Sequence, residues 1–217
     1  MYLGKAAFNR IENATLSPKF RLYSILILKV PPLINRNATG CRSLILDVGL
    51  HTGDEFFAAV DHGFEVVGFE PNPKTFPVLK ARCLQKPKCQ VLDLDTTALP
   101  LQRKEGYSYL INAAVGAEPS TLQLNIKADV SSPVQVSGLQ GRQTSQVEVV
   151  KMDDLIKEDV YLFKIDTQGY EKFVLEGSKD LFDNYVVRQV ILEVDPFTMA
   201  PNNVTVHHVL DLLKKMA

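Results

Sequence analysis

LILDVGLHTGDEFFAAVDHGFEVVGFEPNP, residues 44–73, decides the fold. A short apolar run ends at a glycine turn. A segment with helical spacing and a closing glycine follows, and a second apolar run then ends in Glu70. This is the outline of a nucleotide-binding βαβ unit. A dinucleotide fingerprint reads Gly-x-Gly-x-x-Gly, so that backbone amides can approach a pyrophosphate. Here Asp47 takes the leading position, and three residues rather than two separate Gly49 from Gly53. A carboxylate beside a pyrophosphate would repel it. The turn calls for a ligand with positive charge and no phosphate. S-adenosyl-L-methionine, with its ammonium, sulfonium and adenosine, has that chemistry. Glu70 lies 21 residues beyond Gly49, where an acidic side chain can accept hydrogen bonds from ribose hydroxyls. The plainer readings are a turn-forming aspartate and a solvated strand-end glutamate. The combination of glycine spacing, Asp47 and Glu70 favours the cofactor.

Outward from this unit the pattern continues. NPKTFPVLKARCLQ reads as a second helix, with Pro73 near its first turn. YSYLINAAVG, VYLFKID and VRQVILEVD read as further core strands, and YEKFVLEGSKDLF as a helix holding an awkward Gly177. TVHHVLDLLKKMA is a closing helix with His207 and His208 on its surface. Residues 86–106 have mixed character, while STLQLNIKAD and SQVEVVKM alternate with period two, as in an exposed hairpin beside the main sheet. Asp153-Asp154 is expected to cap the helix that follows it. The expectation is α/β: a mostly parallel sheet with helices on both faces. Residues 1–42 form a lead-in, and residues 43–217 form the domain. In such sheets the ligand lies beyond the carboxyl ends of the strands.

Composition adds exclusions. The 217 residues carry a formal net charge of −1, which gives no electrostatic case for nucleic acid. No apolar run approaches the roughly 20 residues needed to cross a bilayer. No secretory h-region stands at the N-terminus, so a cytoplasmic setting is expected. The cysteines, Cys41, Cys83 and Cys89, are odd in number and suggest neither a disulfide framework nor a zinc site. With no signal peptide visible, the Asn-X-Thr sequons at Asn13, Asn37 and Asn203 are read as chance matches.

A second informative stretch is FKIDTQGYEKFVLEG, residues 163–177. Its strand ends in Lys164-Ile-Asp166, a glycine turn follows, and Glu171 opens a helix. The plain reading is that Glu171 serves its helix dipole and pairs with Lys164.

At this point the chain resembles the FkbM-type methyltransferases, class I S-adenosylmethionine-dependent enzymes. The matching pieces are LILDVGLHTGD, VVGFEPNP, INAAVG, VVKMDDLI, FKIDTQGYEKFVLEG and ILEVDP, in that order over about residues 43–196. The resemblance implies a Rossmann-like class I methyltransferase sandwich. It also implies O-methylation of a small molecule or sugar hydroxyl, with S-adenosyl-L-methionine as cofactor. It carries Asp47, Gly49, Gly53 and Glu70 over as cofactor contacts, and places Asp166, Gly169, Glu171 and Glu193 near the active centre. His51 on the glycine turn and Asn112 in the third strand join the cofactor set. One departure is Leu50-His51, where the family more often has Ala-Asn.

A larger departure concerns the C-terminus. The class usually ends in two further strands, so VRQVILEV would be a bare apolar edge. The chain is then a truncated form, or the edge self-associates with another subunit, or RLYSILILKV folds back over it. Truncation is the preferred reading, and it leaves a non-catalytic cofactor-binding domain as the alternative function. A nicotinamide-dependent oxidoreductase is disfavoured by Asp47.

Methyl transfer needs alignment above all, and an oxygen acceptor also needs a base. Asp166 and Glu193 are the candidate catalytic residues, ahead of Asp195 and His51. No metal-specific spacing accompanies these carboxylates, and no metal site is expected.

Overall fold

The structure, a computed structural model, describes residues 26–29, 44–93, 99–126, 131–133 and 144–216. Its centre is β2 (Leu44–Val48) beside β3 (Glu65–Phe69). Every residue of both strands is buried, as expected of parallel strands covered on two faces. Three more parallel strands flank this pair: β5 (Ser108–Ile111), β10 (Leu162–Ile165) and β11 (Gln189–Leu192). Beyond β5 lies β4 (Cys89–Leu92), which sequence reading left inside a connection of mixed character. The opposite edge is closed by β1 (Leu26–Lys29), antiparallel to β11. The full order is β1-β11-β10-β2-β3-β5-β4.

The edge strand corrects one expectation. β11 is not bare, because Leu26 pairs with Leu192 and Lys29 with Gln189. Residues 26–29 of RLYSILILKV fold back over this edge, which is one of the three arrangements considered. The backbone groups that would have templated another chain are satisfied within this one.

Alternation along β2 sends its residues to two separate cores. Ile45 joins Val66, Leu110 and the apolar faces of α1 (Asp54–Asp61) and α2 (Phe76–Leu84), including Phe56, Phe57, Phe76 and Leu79. Leu44, Leu46 and Val48 point the other way. They meet residues from α4 (Glu171–Glu176), α5 (Lys179–Asn184) and α7 (Val206–Lys215), such as Val174, Leu181 and Leu210. Helices therefore cover both faces, as the pattern of the sequence implies.

Several local readings change. The expected second helix starts at Phe76 with Pro77 in its first turn, and Pro73 precedes it. YSYLINAAVG is not one strand: β5 stops at Ile111, and β6 (Ala114–Gly116) enters a second sheet of order β6-β9-β7-β8. In that sheet β7 (Ser120–Ile126) and β9 (Thr144–Lys151) form the expected antiparallel hairpin, with β8 (Ser131–Pro133) outside β7. Gly177 separates α4 from α5. A Cβ there would lie 2.0 Å from the Gly116 carbonyl oxygen, so the helices break where backbone passes backbone. Asp153, inside the short α3 (Met152–Leu155), caps a different helix from the one expected. Its carboxylate accepts from Asp180 N (3.1 Å) and Leu181 N (2.8 Å), at the start of α5.

The cysteine expectation is overturned as well. Cys83 at the end of α2 and Cys89 at the start of β4 form a disulfide, with Cα atoms 5.2 Å apart. Only a short turn separates the helix from its strand, which brings the two residues together. Cys41 lies outside the described residues.

Candidate active site

The chain leaves β2 for one side of the sheet, through β3, β4 and β5, and returns to fill the other, through β10 and β11. The reversal lies between β2 and β10, and an open α/β sheet has its ligand crevice at such a point. A cleft of about 300 Å³ opens there, at the carboxyl ends of β2, β3 and β10.

Asp47 and Lys164 face each other in register across β2 and β10. Lys164 Nζ donates to Asp47 Oδ1 at 2.9 Å and to the Gly49 carbonyl oxygen at 3.1 Å. Burial raises the Asp47 carboxyl and would lower Lys164, but Asp47 and then Asp166 beside the ammonium hold its pKa above the ordinary lysine value. The pairing is not the one expected from the sequence, since Lys164 serves Asp47 and not Glu171. Asp47 is 3% exposed and does not line the cleft. Its place is beneath the glycine turn, which it ties to β10.

The turn itself is held by strained or close-approaching backbone. Gly49 has φ +89°, and a Cβ there would lie 1.8 Å from the Asp166 carbonyl oxygen, so no side chain fits. His51, at φ +51°, takes the same left-handed region without being glycine. Gly53, at φ +74°, caps α1 and abuts Leu79. It is a packing glycine, away from the cleft lining.

Glu70 stands at the end of β3 and lines the cleft. Its Oε1 accepts from Asn72 N and its Oε2 from His51 N, both at 2.8 Å. Each oxygen keeps acceptor capacity for a further donor. Burial raises its pKa, against the pull of those two amides. Asn112 does not reach the cleft. It is exposed, and its Nδ2 donates to the Glu70 carbonyl oxygen at 2.8 Å, fixing where β3 ends.

Asp166 follows β10 and lines the cleft, while Glu193 follows β11 just behind it. Gln168 joins them: its Nε2 donates to Asp166 Oδ1 at 3.0 Å and Glu193 Oε2 at 2.7 Å. Burial, then the hydrogen bond and charge of Asp166, push the Glu193 carboxyl up to about 8. Two carboxyls in close contact cannot both ionise readily, so the pair shares a proton at neutral pH. Glu171 explains the turn between them. It is 1% exposed, and its Oε1 accepts from Thr167 N, Thr167 Oγ1 and Gly169 N, at 3.0, 3.1 and 3.0 Å. The turn so held puts Gln168 at φ +53°. Asp195, the other candidate base, is engaged as the cap of α6 (Pro196–Met199), accepting from Phe197 N at 2.9 Å.

The remaining walls are mostly apolar. Val48, Leu50, Pro71, Ala113 and Val115 are apolar, and Leu122 and Leu124 reach in from β7 of the second sheet. Tyr170 completes this side, and Glu55 stands exposed at the mouth. The lining is acidic: Glu55, Glu70 and Asp166 oppose Lys164, which Asp47 already neutralises.

A class I methyltransferase-like sandwich with an acidic cleft at its switch point defines the class. The family model described as the methyltransferase FkbM domain matches residues 47–217, and the chain belongs to the FkbM methyltransferase family. A crystal structure of the methyltransferase FkbM from Methylobacillus flagellatus KT is similar at 13% identity and a TM-score of 0.48. That match covers 80% of this chain and 36% of the other. No curated protein sequence matches the chain. Among the described residues, no helix is long and apolar enough to cross a membrane.

Proposed function

We propose that the chain is an S-adenosyl-L-methionine-dependent methyltransferase acting on a hydroxyl of a small molecule or sugar. The observation that carries this is the charge of the cleft. Three carboxylates line it, and its lysine is already paired, so it suits a cation and rejects a diphosphate. The residues fit the cofactor: Glu70 keeps free acceptor sites for a ribose diol, and the turn from Gly49 to Thr52 offers close backbone approach. Asp47 contributes by holding that turn.

When bound, the cofactor supplies a methyl group on a sulfonium, already activated toward displacement. What remains for the protein is alignment and proton removal. Asp166 lines the cleft and takes the acceptor's hydroxyl proton. Glu193, behind it, holds the shared proton, and Gln168 keeps the two carboxyls in place. The apolar face from Ala113, Val115, Leu122 and Leu124 excludes water from the acceptor.

The test is incubation with methyl-labelled S-adenosylmethionine and a panel of hydroxylated small molecules, sugars included. Label transferred to oxygen supports the proposal, and Asp166→Asn should suppress transfer while sparing cofactor affinity. Cofactor bound without transfer to any acceptor would favour a binding domain instead.

A further inference from the structure

We propose that Asn203 is an N-glycan acceptor, and that the protein matures in an oxidising compartment. Two independent features support this, and neither belongs to the cleft.

The first is the sequon itself. Asn203-Val204-Thr205 lies in the turn between a short 3-10 helix (Ala200–Asn202) and α7. Asn203 is exposed, at φ +54°, and among the described residues only its backbone N–H is hydrogen-bonded, to Ala200 O. The turn is well anchored on both sides. Asn202 is buried and donates to the Gly169 carbonyl oxygen at 3.1 Å, while Val204 is 4% exposed. The asparagine is thus presented outward from a fixed base. It does not line the cleft, so a bulky modification there leaves the ligand site open. With 10 asparagines and 21 serines and threonines in 217 residues, about one sequon would arise by chance. The chain has three, though Asn13 and Asn37 lie outside the described residues.

The second feature is the Cys83–Cys89 disulfide. Its Cα separation of 5.2 Å falls in the range a relaxed disulfide requires. Such bonds persist in oxidising compartments and are rare where thiols are kept reduced. The sequence alone favours chance sequons because no signal peptide is visible, and the disulfide is a separate sign of an oxidising setting.

In the reaction, the Asn203 side-chain nitrogen bonds to the anomeric carbon of a polyprenyl-diphosphate-linked oligosaccharide. The bond from that carbon to the diphosphate oxygen breaks, the polyprenyl diphosphate leaves, and the amide proton passes to the transferase's base.

The test is to produce the full chain in eukaryotic cells and map its peptides before and after peptide-N-glycosidase F digestion in heavy-oxygen water. Conversion of Asn203 to labelled aspartate is the expected result, with Cys83 and Cys89 recovered as one disulfide-linked pair. Two variants separate modification from folding. Thr205 caps α7 by accepting from His208 N. Thr205→Asp keeps a capping carboxylate but destroys the sequon, so it should lose the glycan and retain the helical circular dichroism. Thr205→Ser keeps both the cap and the glycan. An Asn203 peptide recovered wholly unmodified, or a glycan that persists in Thr205→Asp, overturns the proposal.

Discussion

Removing the ammonium that sits under the glycine turn should cost the fold more than any exposed substitution. In Lys164→Met the aliphatic stem remains and the charge disappears. Asp47 is then left 3% exposed with no cation at 2.9 Å. An ion pair at about 4 Å in an effective dielectric of about 20 is worth roughly 4 kcal/mol. Removing one member of a buried pair costs about 3–5 kcal/mol. The Gly49 carbonyl oxygen also loses its 3.1 Å donor. For a domain of this size the loss lowers Tm by on the order of 10 °C. Urea denaturation followed by circular dichroism measures it, with an unchanged m-value as the check that the same surface is exposed. Asp47→Asn combined with Lys164→Met should recover part of the loss, because no buried charge is then stranded. A single-variant loss under about 1 kcal/mol, the range of exposed pairs, would refute the claim that this pair holds the turn.

Other outcomes follow from the same geometry. Methyl-transfer rate should rise with pH through about 8, because Glu193 there gives up the proton it shares with Asp166. Glu193→Gln should keep the low-pH rate and lose that rise, and a pH–rate profile decides it. The same raised carboxyl means the folded state binds more protons than the unfolded chain between the ordinary glutamate pKa and about 8, so its contribution to stability declines as pH climbs through that window. Asp153→Ala should destabilise by about 1–3 kcal/mol, since the amides of Asp180 and Leu181 lose their acceptor. Gly177→Ala should reduce expression or Tm sharply, because its Cβ would lie 2.0 Å from Gly116 O. Wild-type stability in either variant would contradict the assigned contact.

Much of this architecture can be read from the sequence because buried parallel strands are locally continuous: LILDV, EVVGF and LFKI announce themselves. The place of Glu70 and Asp166 in the cleft lining was legible for the same reason, since both follow core strands at a switch point. What was not legible depends on distant partners. Lys164 finds Asp47 only through the register of β2 and β10. Asp153 caps a helix 27 residues away. The covered edge of β11 needed a strand more than 150 residues earlier in the chain. Asn112 and Gly53, expected beside the cofactor, lie outside the cleft lining: Asn112 donates to the Glu70 carbonyl oxygen and Gly53 caps α1. Gln168 had a positional signal, lying between Asp166 and Gly169, but nothing in its chemistry predicted that it would bridge two carboxyls.

Calorimetric titration of the protein with S-adenosylmethionine and, separately, NAD tests the central claim most directly, with Glu70→Ala as the paired variant. The cationic, phosphate-free ligand should bind and NAD should not. Losing the carboxylate's hydrogen bonds should weaken binding by about 1.5–3 kcal/mol, tenfold or more. Binding of NAD alone, or S-adenosylmethionine affinity indifferent to Glu70, would contradict the account.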